Sequence, residues 1–255
     1  MSIKFESADG VARITLAAPE RRNALTPGEF AELRDILAAV GADPADRVVV
    51  LTGEGSAFCA GAFLPVDDGP KEPPIALMRQ INETARTLHR LPKPCVAAVN
   101  GHAVGAGMSL ALGCDLVIAS TAAKFSQIFV KRGLSPDFGS SWLLPRIVGL
   151  QMAKKLALLG DTIDADEAAR IGIVSEVVAP EELADAATRL ARRLADGPPI
   201  ALALTKELLN QSFTTGFDDA LGREAAVAAT NMAAEDAGEA LAAFKEKRGP
   251  VFKGR

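Results

Sequence analysis

The residues best suited to chemistry lie in two glycine-rich turns and one acidic turn. The first turn runs Gly53-Glu54-Gly55-Ser56-Ala57-Phe58-Cys59-Ala60-Gly61-Ala62, directly after the apolar run 47–52. The second runs Asn100-Gly101-His102-Ala103-Val104-Gly105-Ala106-Gly107, after the apolar 95–99 and before Met108-Ser109-Leu110-Ala111-Leu112. A strand that breaks into glycines presents backbone N–H groups with no side chain in the way, and the first N–H groups of a following helix lack intrahelical partners. Two such turns facing each other can hold a negatively charged oxygen, although close packing alone also accounts for these glycines. The acidic turn is Gly133-Leu134-Ser135-Pro136-Asp137-Phe138-Gly139, where Asp137 reads from spacing as a turn or helix-cap residue.

Other reactive side chains point elsewhere. Cys59, Cys95 and Cys114 have no CxxC or histidine-partnered spacing, so they read as reduced thiols of a cytoplasmic protein, without disulfide or metal. Cys59 lies in the first glycine turn, but His89 and His102 make no triad pattern with it, and a small packing residue is the simpler reading.

These turns need a scaffold. The 255 residues suffice for one large core, or a main domain with a small appendix, and 49% hydrophobic with 24% charged residues marks a globular chain. With Lys+Arg 28 against Asp+Glu 32 the net charge is −4, which gives no global attraction to nucleic acid or an anionic membrane. The basic groups Arg192-Arg193 and 245–248 fall in mixed-charge helical text and read as solvated faces. No signal peptide or membrane-spanning stretch is expected.

Strand text at 3–5 and 11–16 flanks Ala8-Asp9-Gly10 as a β-hairpin. Thr26-Pro27-Gly28-Glu29 supplies an N-cap, a first-turn proline and a capping-box glutamate for a helix carrying Phe30, Leu33, Leu37 and Val40. Strands follow at 47–52, 95–99 and 115–120, a helix at 75–90, and a proline-rich surface loop at 65–74. Beyond Pro136 the text predicts helices at 139–147, 150–159, 164–170, 181–195, 199–212, 216–232 and 236–247, with a short strand at 173–178. Strands alternating with helices give an α/β fold with parallel pairing. Gly197-Pro198-Pro199 divides a core at 1–196 from a helical region at 197–255.

Four segments in the same order, namely 19–25, 57–62, 93–107 and 136–146, resemble the enoyl-CoA hydratase/isomerase (crotonase) superfamily over essentially the whole chain. The resemblance implies a spiral of β-β-α units, a C-terminal helical region for trimerisation, a homotrimer or dimer of trimers, and an acyl-CoA thioester substrate. It implies no metal and no cofactor apart from the coenzyme A that is part of the substrate. Carried onto this chain, the backbone N–H groups of Ala62 and Ala106 form the oxyanion hole. Arg22, Ala24, Ala60, Phe63, Leu64 and Lys247 line the coenzyme A channel.

The two glutamates of the superfamily's hydratases map to Ser109 and Phe129, so both carboxylates are missing here. Asp137 is the acid that remains, and its local text resembles the 1,2-epoxyphenylacetyl-CoA isomerase type, with Asp137 as the single acid/base. Phe129, Leu134, Phe138 and Trp142 are then candidates for the acyl pocket, with core packing as the other reading of the aromatics. The expected activity is isomerisation of an unsaturated or epoxidised acyl-CoA. The alternatives are a hydratase working without the usual glutamates, a non-catalytic acyl-CoA binder, and a dehalogenase or hydrolase with nucleophilic Asp137.

Overall fold

A computed structural model describes residues 2–63 and 73–255; Leu64 and most of the expected proline-rich loop lie outside the described residues. The N-terminal hairpin joins β1 (Ile3–Ala8) to antiparallel β2 (Val11–Leu16). Its turn residues Asp9 and Gly10 both have positive φ, 53° and 77°, the twist that suits a tight hairpin. Helix α1 (Pro27–Ala42) starts at Thr26 with the expected capping box, Thr26 and Glu29 each bonding the other's backbone N–H. Its Phe30, Leu33, Leu37 and Val40 are all buried.

The chain then repeats one pattern. Strand β3 (Val48–Gly53) is followed by the short β4 (Ala57–Cys59) and α2 (Pro74–His89). Next come β5 (Cys95–Val99), β6 (His102–Val104) and α3 (Ala106–Leu112), then β7 (Leu116–Ser120) and β8 (Lys124–Ser126). In each repeat the long strand joins a six-stranded sheet and the short one a four-stranded sheet, which is the expected β-β-α spiral. The large sheet has the order β1-β2-β3-β5-β7-β10, parallel beyond the hairpin. The small sheet is β4-β6-β8-β9.

After a 3-10 turn at Ile128–Arg132 come α4 (Ser140–Val148), α5 (Leu150–Leu159), β9 (Thr162–Asp164), α6 (Ala165–Arg170) and β10 (Glu176–Val178). The last strand is shorter than the expected 173–178, because Ile173 and Val174 turn inward to the core instead of pairing. Helix α7 (Leu183–Ala195) lays Leu183, Ala186, Ala187, Ala191 and Ala195 on the outer face of the large sheet, against Val48, Val50, Val96, Ala98 and Ile118. The opposite face carries the main core, with Phe30, Leu51, Phe58, Leu88 and Phe125.

Past Gly197-Pro198 the character changes. Helices α8 (Pro199–Gln211) and α9 (Phe217–Ala233) bury no residue, and α10 (Glu235–Glu246) buries only Asp236 and Ala243. Polar ties hold this region to the core: Lys206 reaches the Asp115 carboxylate at 2.7 Å, and Arg47 donates to the Phe252 carbonyl at 2.9 Å. Among the described residues no helix is long and apolar enough to cross a membrane.

Candidate active site

The first glycine turn is held in shape by two asparagines. Asn23, buried and at φ 57°, accepts from the Ala18 N–H at 2.9 Å and donates to the carbonyls of Glu54 (2.9 Å) and Ala57 (2.7 Å). Asn100, just past β5 in the second turn, donates to the carbonyls of Gly55 (2.9 Å) and Ala57 (3.1 Å) and accepts from the Gly53 N–H. One side chain therefore ties the second turn to the first. Neither asparagine stood out as a site residue in the sequence; its one signal was an amide side chain beside a glycine turn.

The turns meet backbone to backbone. A β-carbon on Gly107 would lie 2.0 Å from the Cys59 carbonyl oxygen, and one on Gly101 would lie 2.1 Å from that of Ser56, so no side chain fits at either place. Gly61, at φ 101°, has room for none either, with the Val104 carbonyl oxygen at 2.9 Å and the Ala106 nitrogen at 3.4 Å from its would-be β-carbon.

Beside it, Leu25 donates to the Gly61 carbonyl at 2.8 Å and accepts from the Phe63 N–H at 2.8 Å. Because the C=O and N–H of a trans peptide point oppositely, the Ala62 N–H faces away from that ladder. Ala106 is the first residue of α3, after Gly105 at φ 55°. Among the described residues the N–H groups of Ala62 and Ala106 have no hydrogen-bond acceptor. Both are unused donors on turns in direct contact.

The two positions beside the second turn carry no carboxylate. Ser109 is fully buried and its hydroxyl donates to the Gly105 carbonyl at 3.1 Å, a local helix bond. Phe129 is 6% exposed, and its ring edge lies 3.8 Å from where a β-carbon on Gly105 would sit. Neither side chain is an acid or base, and both are committed to packing.

Asp137 lies between the 3-10 turn and α4. Its backbone carbonyl accepts from the Ser140 N–H at 3.0 Å, while its Oδ1 is buried with no partner among the described residues. Burial pushes the carboxyl up from the ordinary 3.8 to about 6. The Ser140 hydroxyl, one turn on, is also buried and unpartnered, as are both amide atoms of Gln127. Buried polar groups left without partners are uncommon in folded proteins, and three such side chains occur within this stretch.

The four acyl-pocket candidates do not form one wall. Phe129 flanks the second turn, as above. Phe138, at φ 52° and 1% exposed, turns inward to pack its ring 5.6 Å from that of Phe30, so it is a core residue; the left-handed turn at 138–139 drives it there. Leu134 is 51% exposed on the loop before Asp137. Trp142 is stacked under the Arg146 guanidinium at 3.8 Å and meets the His89 ring edge-on at 5.4 Å, which joins α4 to the end of α2.

The coenzyme A candidates divide as well. Arg22, exposed and at φ 54°, takes a hydrogen bond on its carbonyl from the Ala60 N–H at 2.9 Å. Arg22, Ala24, Ala60 and Phe63 flank the Leu25–Ala62 bridge, so these four lie along one short ladder. Neighbouring Arg21 is occupied: it pairs with Glu29 and covers the half-exposed Phe63 ring at 5.6 Å. Burial alone would raise the Glu29 carboxyl, but Arg21 and the Thr26 contacts outweigh it and hold it at about 2. Lys247 caps the C-terminal end of α10 at φ 56°, exposed, and has no bond to any of these residues.

A family model described as enoyl-CoA hydratase/isomerase matches residues 6–255. The chain is 42% identical to 1,2-epoxyphenylacetyl-CoA isomerase of Escherichia coli, covering 96% of each protein. It is 37% identical to crotonyl-CoA hydratase of Syntrophomonas wolfei, over 98% of this chain and 97% of that one. A crystal structure of an enoyl-CoA hydratase from Bacillus anthracis superposes with a TM-score of 0.95 at 34% identity, covering 100% of both chains. The fold, the facing glycine turns and these likenesses over full length agree: the chain belongs to the enoyl-CoA hydratase/isomerase family of acyl-CoA enzymes, in the crotonase superfamily.

Proposed function

We propose that this enzyme isomerises an unsaturated or epoxidised acyl-CoA through a thioester enolate, with Asp137 as its single acid/base. The observation that carries the reading is the Asp137 carboxyl: part-buried, one oxygen without a partner, and raised to about 6, while Ser109 and Phe129 bring no carboxylate. A base near that value is largely ionised at neutral pH, ready to take a proton, and its conjugate acid is strong enough to return it.

For a 3-enoyl substrate, ionised Asp137 removes a proton from the carbon beside the thioester. The electron pair moves into the carbonyl, and the Ala62 and Ala106 N–H groups hold the resulting oxyanion. Protonated Asp137 then returns the proton two carbons farther along, which leaves the double bond conjugated with the thioester. Losing one preorganised donor of this kind costs about 2.7–4 kcal/mol of barrier. Arg22, Ala24, Ala60, Phe63 and Leu64 are read as the coenzyme A channel, and Phe129 and Trp142 as boundaries of the acyl site. Coenzyme A enters as part of the substrate, and the scheme uses no metal.

Hydration is the second reading, favoured by the hydratase names of relatives such as those from Syntrophomonas wolfei and Clostridium acetobutylicum. Incubation with a panel of 3-enoyl-CoAs in D2O separates the two. Isomerisation yields the 2-enoyl product with deuterium uptake that vanishes in Asp137→Asn. Hydration of 2-enoyl-CoAs that persists at full rate in Asp137→Asn sinks the role given to Asp137.

We also read residues 197–255 as the assembly region of a homotrimer. Phe213, Phe217, Met232 and Phe244 are 67–82% exposed there, and α8 and α9 bury nothing within one chain. Light scattering on the eluted protein gives a trimer or hexamer mass if this is right and a monomer mass if it is wrong.

A further inference from the structure

Two of the three cysteines touch. Cys95 opens β5 and Cys114 follows α3, and their sulfurs are 3.4 Å apart, with Cys95 fully buried and Cys114 8% exposed. Their backbones are clamped by a reciprocal pair of bonds. The Cys95 N–H donates to the Asp115 carboxylate at 2.7 Å, and the Asp115 N–H donates to the Cys95 carbonyl at 2.8 Å. One residue farther on, Val96 and Leu116 pair in register on adjacent parallel strands. Lys206 braces the same carboxylate at 2.7 Å from α8. These bonds hold the two backbones on neighbouring strands, with the sulfurs 3.4 Å apart against a bonded separation of about 2.05 Å.

We propose that Cys95 and Cys114 are an oxidisable dithiol that closes to an internal disulfide under hydrogen peroxide. Cys114 is the less enclosed residue, although the Cys95 sulfur beside it and burial hold its thiol well above the ordinary range; it gives up its proton, attacks one peroxide oxygen and becomes a sulfenic acid as the other oxygen leaves as water. The Cys95 sulfur then displaces the hydroxyl, which also leaves as water. In sum two thiols and one H2O2 give one disulfide and two H2O. The bridge closes a loop that contains β6, the Gly105–Gly107 turn and α3, so the segment bearing Ala106 is tied at both ends.

Cys59 is the internal control. It is also buried, but among the described residues its sulfur meets only the Gly61 backbone and has no second sulfur beside it to trap an oxidised form.

The test treats the folded wild-type protein with a graded series of peroxide doses and then alkylates in denaturant before non-reducing peptide mass spectrometry. The expected result is a Cys95–Cys114 cross-linked peptide, lower by two hydrogens and reversed by dithiothreitol, with Cys59 recovered alkylated. Dimedone should label Cys114 in Cys95→Ser and not in the wild type. Recovery of Cys95 and Cys114 as alkylated thiols or as sulfinic acids in the wild type, or a cross-link formed only after unfolding, overturns the proposal.

Discussion

The Cα of Gly107 lies so close to Cys59 that a β-carbon there would sit 2.0 Å from the Cys59 carbonyl oxygen. That approach sets the spacing of the two turns. In an ordinary helix Gly→Ala is favourable by about 0.5–1 kcal/mol, but here the clash is with backbone that cannot rotate away. Gly107→Ala should therefore lower stability by roughly 1–3 kcal/mol in urea melts and cut turnover by more than tenfold. A stabilised and fully active variant shows that the approach is unimportant.

Asn100 spans the same gap with three bonds to Gly53, Gly55 and Ala57. Asn100→Ala takes a partner from the Gly55 carbonyl and the Gly53 N–H, while the Ala57 carbonyl keeps its bond from Asn23, at a cost of about 1–3 kcal/mol. Turnover should fall by more than the change in folded fraction, because the turns lose their tether. Equal losses, read from denaturation and single-turnover rates on one sample, contradict that.

The pH dependence of kcat/KM should show an acidic limb with a midpoint near 6, from ionisation of Asp137. Activity is low below it, where the carboxyl is protonated, and rises to a plateau above it. Asp137→Asn should remove the limb along with most of the activity. An unchanged limb in a variant that retains turnover assigns it to another group.

Stability has the opposite slope. The folded value near 6 lies above the ordinary 3.8, so the folded state binds this proton more tightly than the unfolded chain. The group's contribution is fully present below about 3.8 and is lost as pH rises through 6. Asp137→Asn should accordingly be more stable than wild type at pH 7–8 by about 1–2 kcal/mol, allowing for its partial exposure, and equal to it at low pH. Equal melting curves for the two proteins across this range show that burial imposes no penalty on the carboxylate.

Ser140 offers a simpler check. Its hydroxyl, in the first turn of α4, is buried with no partner among the described residues, and alanine is the better helix former. Ser140→Ala should be neutral or stabilising by up to about 1 kcal/mol. A loss of more than that, measured by thermal or urea unfolding, reveals a bond that the hydroxyl makes.

Much of this molecule is legible in its text because the signals are local. Asp9-Gly10 makes a hairpin turn through positive φ, and Thr26 with Glu29 starts α1 through bonds three residues apart. The glycines at 61, 105 and 107 announce where backbone must pass backbone. The second sheet is not legible, because β4, β6, β8 and β9 are three residues long and carry no alternation to read. Their pairing depends on long strands placed by the first sheet.

The sequence by itself determined the family, the order of the long strands and their helices, and that Asp137 remains where Ser109 and Phe129 bring no acid. Only the tertiary structure decided which neighbours those residues meet. It sent Phe138 inward to Phe30, and paired Arg21 with Glu29 while leaving Arg22 exposed. It buried the carboxyl of Asp137 and set Cys95 against Cys114. Backbone conformation follows from a few adjacent residues, whereas burial, charge environment and contact are properties of segments brought together from distant parts of the chain.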